Sequence, residues 1–234
     1  SDNGCTTLVF TVDLPMAGMR HRDTRNGMLT DSLNGKLGKA WQLATRPGWI
    51  YDVGLRGKPH SFGNLADMVP DPTDLNAYKT WLESQFDRSV TWKDIEWLRG
   101  IWKGKLILKG IQEVDDAVNA IAVGADGVIV SNHGGRQLDS VASSISKLPA
   151  VVDAVGSKLE VYIDGGIRSG LDVFKALALG ARGVLIGRPW VWALAGAGQA
   201  GVTDLLTTFQ KELQIAMALS GVTKIAEINR ELID

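Results

Sequence analysis

Three histidines occur in the 234 residues, and one of them, His133, follows an apolar run and stands beside Gly134, Gly135 and Arg136. Imidazole is the side chain whose ordinary pKa lies nearest neutrality, so it can remove a proton at physiological pH. The glycines let a backbone approach a ligand closely, and Arg136 offers the planar donor fork that suits a carboxylate. A lone histidine is more often a surface or satisfied core residue; these neighbours favour chemistry. Asp13, at the end of another apolar run, is the expected carboxylate that orients the ring and steadies its charged form. Its plain alternative is a turn-forming Asp ahead of Pro15. Arg20 and Arg136 together can hold one carboxylate, against the commoner fate of arginine as a solvated charge. Lys109 closes the run LILK, either as a cation that stabilises an anion developing during reaction or as a lysine snorkelling from a strand end.

A second group of residues suits phosphate. The strings IDGGIRSG (Ile163–Gly170) and LIGRP (Leu185–Pro189) each end an apolar run. Their glycine turns present backbone N–H groups at the start of a following helix, and Arg168 and Arg188 add charge. Two connecting turns without function are the plain reading of each; both at this spacing favour a phosphorylated ligand.

The elements that must carry these residues alternate. Strands are expected at residues 7–13, 105–110, 127–132, 161–166 and 183–188, with continuous apolar runs that suit a parallel sheet covered on both faces. Helical spacing fills most of the gaps. Ala117, Val118, Ile121 and Ala122 precede Gly124; Leu171, Phe174, Leu177 and Ala178 precede Gly180, and each glycine sits where a helix C-cap belongs. Ile145, Leu148, Val151, Val152 and Val155 mark another helix, and Leu205, Phe209 and Leu213 a last one. The class is therefore α/β with parallel strands. The strings AVGADGVIV (Ala122–Val130) and ALGARGVLI (Ala178–Ile186) match at most positions, two strand–helix units apart. That period is expected of a (β/α)8 TIM barrel, whose active-site residues cluster at the C-terminal strand ends. The residues named above all fall there or in the loops that follow. Five strands are readable where a barrel needs eight, so the chain is expected to hold the C-terminal five βα units of one barrel domain over residues 1–234, with 20–76 a long loop containing at most one short helix.

Composition narrows the function classes. Lys and Arg number 25 against 26 Asp and Glu, 45% of residues are hydrophobic, and no balance of charge argues for nucleic acid. A single cysteine, Cys5, rules out an internal disulfide and a cysteine metal cluster, which makes a reducing, cytoplasmic compartment the default. The longest weakly polar stretch, Pro189–Val202, falls short of the roughly 20 apolar residues of a spanning helix.

The motifs FTVDLP, LKG, VSNHGGRQLD, IDGGIRSG and IGRP, in this order, resemble those of the FMN-dependent α-hydroxy acid dehydrogenase and oxidase family. The branch they look most like is the bacterial respiratory L-lactate dehydrogenases. The resemblance implies a flavoprotein that oxidises a 2-hydroxy acid, with His133 removing the substrate's proton, Asp13 paired to it, and Arg20 and Arg136 on the carboxylate. It further implies that Thr11, Lys109 and Ser131 contact FMN, Lys109 near the N1/O2 edge. Asp164, Gly165, Gly166, Arg168, Gly187 and Arg188 would hold the ribityl and phosphate. Family members carry about three more strands ahead of the one at Thr7, including flavin and substrate contacts.

Two readings therefore compete: an enzyme, active in a completed barrel, and a non-catalytic barrel fragment that binds phosphate or a partner chain. A third, another phosphate-binding barrel such as an isomerase, leaves SNHGGRQLD unexplained. Five strands cannot close as eight do, so strands 7–13 and 183–188 are expected to keep open edges. Alone, the chain is then not expected to be a stable, active monomer. It is expected to pair with an N-terminal barrel half, to self-associate through these edges, or to be the ordered part of a longer protein. Between residues 20 and 60, eight Lys and Arg oppose three Asp, with Trp41, Trp49 and Tyr51 interleaved. This suits either a solvated loop or a segment resting on an anionic membrane and delivering electrons to a quinone.

Overall fold

The computed structural model describes residues 3–21, 25, 33–57, 63–69, 71 and 74–233. Two compact units divide them: Ser1–Leu14 with Ser89–Asp234, and Pro15–Arg88.

The first unit is built on one parallel sheet of β1 (Thr7–Thr11), β2 (Lys105–Ile111), β3 (Gly127–Val130), β4 (Glu160–Ile163) and β5 (Gly183–Val184). Spatial order follows chain order, so every strand pairs with its sequence neighbours. All five expected strands form; β1, β3, β4 and β5 stop short of their expected ends, β2 runs one residue further to Ile111, and β5 keeps only two residues in the ladder. Helices return between strands: α1 (Trp92–Ile101) before β2, α2 (Val114–Ala122), α3 (Ser144–Val155), α4 (Gly170–Ala178), and α5 (Arg188–Leu219) after β5. Parallel neighbours require such crossover connections.

Alternation along the strands separates two faces. Leu106, Leu108, Val128, Val130 and Ile163 are fully buried, packed with Ala117 and Ala120 of α2 and Leu148, Val151 and Val155 of α3. Each such side chain contributes about 1.5–3 kcal/mol on burial. The opposite face carries Thr11, paired in register with Lys109, and Lys109 with Ile129. One irregularity interrupts the ladder: between Lys109 and Ile111 the register with β3 shifts by one residue, leaving Gly110 as a bulge.

The repeated strings occupy matching places. Gly124 and Gly180 both lie just past helix ends at φ +75° and +98°, while Gly127 and Gly183 open β3 and β5. Asp126 and Arg182 fall at the same point, their N–H groups donating to Leu106 and Val161 at 2.8 and 2.7 Å. Helix α5 is broken by Ala197 (φ −147°) and Gly198 (φ 59°). The string GAGQAG (196–201) matches the dinucleotide pattern GxGxxG but lies at this break inside a helix. It does not sit at the strand-to-helix turn that such a site needs.

The Pro15–Arg88 unit is more helical than the loop expected from sequence. It contains helices Leu33–Ala44 and Leu75–Gln85, and a short helix Pro47–Trp49 that runs into a π-helical turn, Ile50–Leu55. The Arg56 guanidinium stacks on the Tyr51 ring at 4.5 Å. On Leu33–Ala44, Leu33, Leu37 and Trp41 recur every four residues, so they share one face. They are 73%, 60% and 72% exposed, and Lys36 and Lys39 stand exposed on the same helix. Of the charges counted between 20 and 60, Arg22, Asp23, Asp31 and Lys58 lie outside the described residues. Among the described residues no helix is long and apolar enough to cross a membrane.

Candidate active site

The C-terminal ends of β1 to β4 bring together Asp13, Lys109, Ser131, His133 and Asp164. Lys109 is the fifth residue of β2, and Ser131 and Asp164 are the first residues beyond β3 and β4. The ladder runs on past the strand ends: Val12 N–H donates to Lys109 O at 2.8 Å, and Asp164 N–H to Val130 O at 3.1 Å. These backbone bonds fix the starting points of the side chains.

A connected polar chain results. The Lys109 ammonium donates to Ser131 Oγ at 3.0 Å and pairs with Asp164 Oδ2 at 2.9 Å. The same Ser131 Oγ accepts the His133 N–H at 3.0 Å. Both lone pairs of the buried hydroxyl are thus engaged, and its proton remains to donate. His133 Nδ1 lies 3.1 and 3.3 Å from the two oxygens of Asp13. With Nδ1 protonated and donating to that carboxylate, Nε2 carries the lone pair and can accept a proton. His133 holds φ at 55°, an uncommon backbone for a residue with a side chain.

The loop that carries the histidine is pinned from several sides. Asn132 Oδ1 accepts the Gly135 N–H at 3.2 Å, Asn132 Nδ2 donates to Ala142 O at 3.2 Å, and the Asn132 N–H donates to buried Ser144 Oγ at 3.2 Å. Gln137 Nε2 donates to Asp13 O at 3.2 Å. Asn132, Gln137 and Ser144 were not among the sequence candidates. Asn132 alone carried a readable signal, an Asx-type turn ahead of two glycines. Arg136 is half-buried and closes the turn with its own N–H on His133 O at 3.3 Å. Arg20 belongs to the Pro15–Arg88 unit, where it is exposed.

Asp164 Oδ1 is buried with no hydrogen-bond partner among the described residues. An acceptor left in this state carries a desolvation cost that a ligand hydroxyl would relieve. Beyond it, the turns at Gly165–Gly166 and Gly187 sit on the adjacent, paired strands β4 and β5. A Cβ placed on Gly166 or Gly187 would meet nothing within 4 Å, so the space above both is open. The two helix starts differ. At α4 the donors are taken: Arg168 N–H by Asp172 at 2.9 Å, Gly170 N–H by Glu212 at 2.6 Å, and Asp172 N–H by Ser169 Oγ at 3.1 Å. At α5 Gly187 makes no side-chain cap bond and the first turn holds no acid. An anion is therefore better served at the start of α5, beside Arg188, than at the start of α4. The Arg168 and Arg188 side chains are both exposed, and among the described residues no cluster of His, Cys, Asp or Glu could hold a metal.

The family model described as "FMN-dependent dehydrogenase" matches residues 1–234. An L-lactate dehydrogenase of Ectopseudomonas mendocina is 52% identical over 230 residues, 98% of this chain and 60% of that protein. One from Azorhizobium caulinodans is 53% identical over 228 residues, 97% of this chain and 60% of that protein. The chain thus spans about three-fifths of the curated relatives it matches. Among solved structures, the monotopic membrane protein (S)-mandelate dehydrogenase superposes with a TM-score of 0.88 at 35% identity, covering 100% of this chain and 61% of the other. Mandelate oxidase with benzoyl-formic acid superposes with a TM-score of 0.71 at 38% identity, over 98% and 55%. The five strands are five βα units of a (β/α)8 barrel, and the resemblance read from the motifs holds.

Proposed function

Because the chain belongs to the family of FMN-dependent dehydrogenases, we propose that it oxidises an L-2-hydroxy acid, L-lactate first among them, to the 2-oxo acid, with His133 as the base. The carrying observation is the linked set Asp13–His133–Ser131–Lys109–Asp164 at one end of the sheet. FMN, the family's cofactor, supplies the two-electron acceptor when bound. The residues fit it: among the described residues Asp164 Oδ1 lacks a partner, and the space above Gly166 and Gly187 is open. Asp164, Gly165 and Gly166 would hold the ribityl chain, Gly187, Arg188 and Arg168 the phosphate, and Thr11, Lys109 and Ser131 the ring.

Each residue's task follows from its chemistry. Arg136 would hold the substrate carboxylate and so present the hydroxyl-bearing carbon to His133. His133 removes the substrate's proton through Nε2, and Asp13 holds the Nδ1–H tautomer and stabilises the imidazolium. Lys109 would supply a fixed positive charge to the flavin ring when it is bound. His133→Gln is expected to retain FMN yet lower turnover about 10²–10⁴-fold; near-normal turnover in that variant would end the assignment.

Quinone or another acceptor would then take the electrons, at a protein held peripherally on the inner face of the cell membrane. Support comes from the exposed stripe Leu33, Leu37 and Trp41 beside Lys36 and Lys39, and from a relative that is a monotopic membrane protein. Co-sedimentation with vesicles containing anionic lipid tests this, and binding unaltered by deletion of residues 26–60 would refute it. The free edges of β1 and β5 among the described strands would seat the remaining barrel strands or a second copy.

A further inference from the structure

If His133 is the base, as proposed above, its efficiency depends on where Asp13 is held, and the regular pairing of β1 stops short of it. Asp13 lies beyond the end of β1, past the Val12 N–H bond to Lys109 O. Two contacts from outside β1 take over. The first is the bulge in β2. Gly110 has φ +105°, and a Cβ built there would come within 2.7 Å of both Cβ and Cγ of Asp13 and 2.9 Å of its nitrogen. Asp13 therefore rests directly on the Gly110 backbone, at a φ that a side chain would strain. The second is Gln137, whose amide donates to the Asp13 carbonyl at 3.2 Å. Gln137 stands four residues after His133, so one loop supplies both the ring and a tether for its partner carboxylate.

We propose that Gly110 and Gln137 are positioning residues for the proton-transfer step, fixing the Asp13 carboxylate against His133 Nδ1. Beside the pair lies a cavity of about 150 Å³ lined by Asp13, Gly110, Gln112, Asn132 and Gln137. That volume gives Asp13 room to relax once the tether is lost. A displacement of about 1 Å from the reactive geometry can cost up to roughly 10²-fold. Gln137→Met keeps bulk and removes the donor, whereas Gly110→Ala pushes on the carboxylate itself.

The test uses the complete, FMN-loaded protein. In Gln137→Met, kcat should fall about 10- to 100-fold while KM stays within about threefold and flavin content by absorbance is unchanged. In an Asp13→Ala background the same substitution should add less than about twofold, since its effect runs through Asp13. Nitrogen NMR of histidine-labelled protein, assigned with His133→Gln, should show the His133 Nδ1–H signal displaced or exchange-broadened in Gln137→Met. Gly110→Ala should lose at least as much kcat. Should Gly110→Ala fail to fold, Gln137→Met decides alone. Parent-like kcat in Gln137→Met, an additive effect in the Asp13→Ala background, or an unmoved Nδ1–H signal overturns the inference while leaving His133 as base. Parent-like turnover in His133→Gln overturns both.

Discussion

The two ends of the parallel sheet each hold a carboxylate among cations, and they use it differently. At the N-terminal end, Asp126 accepts from Leu106 N–H at 2.9 Å, Arg99 Nη1 at 3.2 Å and Lys105 Nζ at 2.8 Å. Arg99 also donates to the carbonyls of Trp102 and Gly104. Burial pushes the Asp126 carboxyl up, but the Lys105 ammonium, the Leu106 N–H and the Arg99 guanidinium outweigh it, and the group sits below its ordinary value. At the C-terminal end, Asp164 meets Lys109 through one oxygen and leaves the other buried and, among the described residues, without a partner. One end is closed upon itself and ties α1 to β2 and β3. The other carries unused capacity, which is a cost to the fold alone and an asset to a protein that binds a ligand.

Substitutions at the two ends should therefore separate function from stability. The largest effect is expected at Lys109→Met, which removes the charge opposite Asp164: turnover should drop about 10²–10³-fold, as steady-state kinetics on FMN-loaded protein would register. A loss below tenfold would make the C-terminal end no more committed to chemistry than the other. Next comes Arg136→Lys, where a point charge replaces the planar fork. There kcat/KM for a 2-hydroxy acid should fall about 10- to 100-fold, while the neutral amide of that acid, already a poor substrate, loses little. Equal losses for acid and amide would remove Arg136 from carboxylate recognition.

The smallest effect belongs to the closed end. Asp126→Asn should lower unfolding stability by about 1–2 kcal/mol, a figure discounted for partial exposure, and leave turnover within about twofold. The carboxyl is held below its ordinary value in the folded protein, so its contribution is present above the unfolded pKa, near 4, and fades as pH falls through the folded value. Parent and variant should accordingly differ at pH 7 and converge in denaturant titrations below about pH 4. A gap that widens in acid would contradict the pairing.

Much of this architecture was written in local pattern. Apolar runs ending in Lys109, Ser131 and Asp164 gave both the strands and the residues at their tips, because a strand end is a local property of the chain. The bulge at Gly110 was not visible, since a register shift exists only relative to β3. Gln137 was missed for a related reason: its partner is a backbone carbonyl 124 positions away in sequence. The helix Leu33–Ala44 was hidden by Gly35 and Gly38, each costing about 1 kcal/mol of helix propensity, although the Leu33, Leu37 and Trp41 spacing was there to be counted.

The paired strings around Gly124 and Gly180 have a consequence for anyone who would re-engineer this barrel. Each string is a joint between a helix and the strand that follows, and the joint carries a charge key. In the first, Asp126 meets Lys105, the opening residue of β2; in the second, Arg182 meets Glu160, the opening residue of β4. The same backbone fitting accepts an acid or a base, provided the preceding strand opens with its complement. Exchanging Asp126 and Arg182 alone would set Arg against Lys105 and Arg99, and Asp against Glu160. A βα module cut from this sheet is therefore portable only together with the first residue of the strand before it.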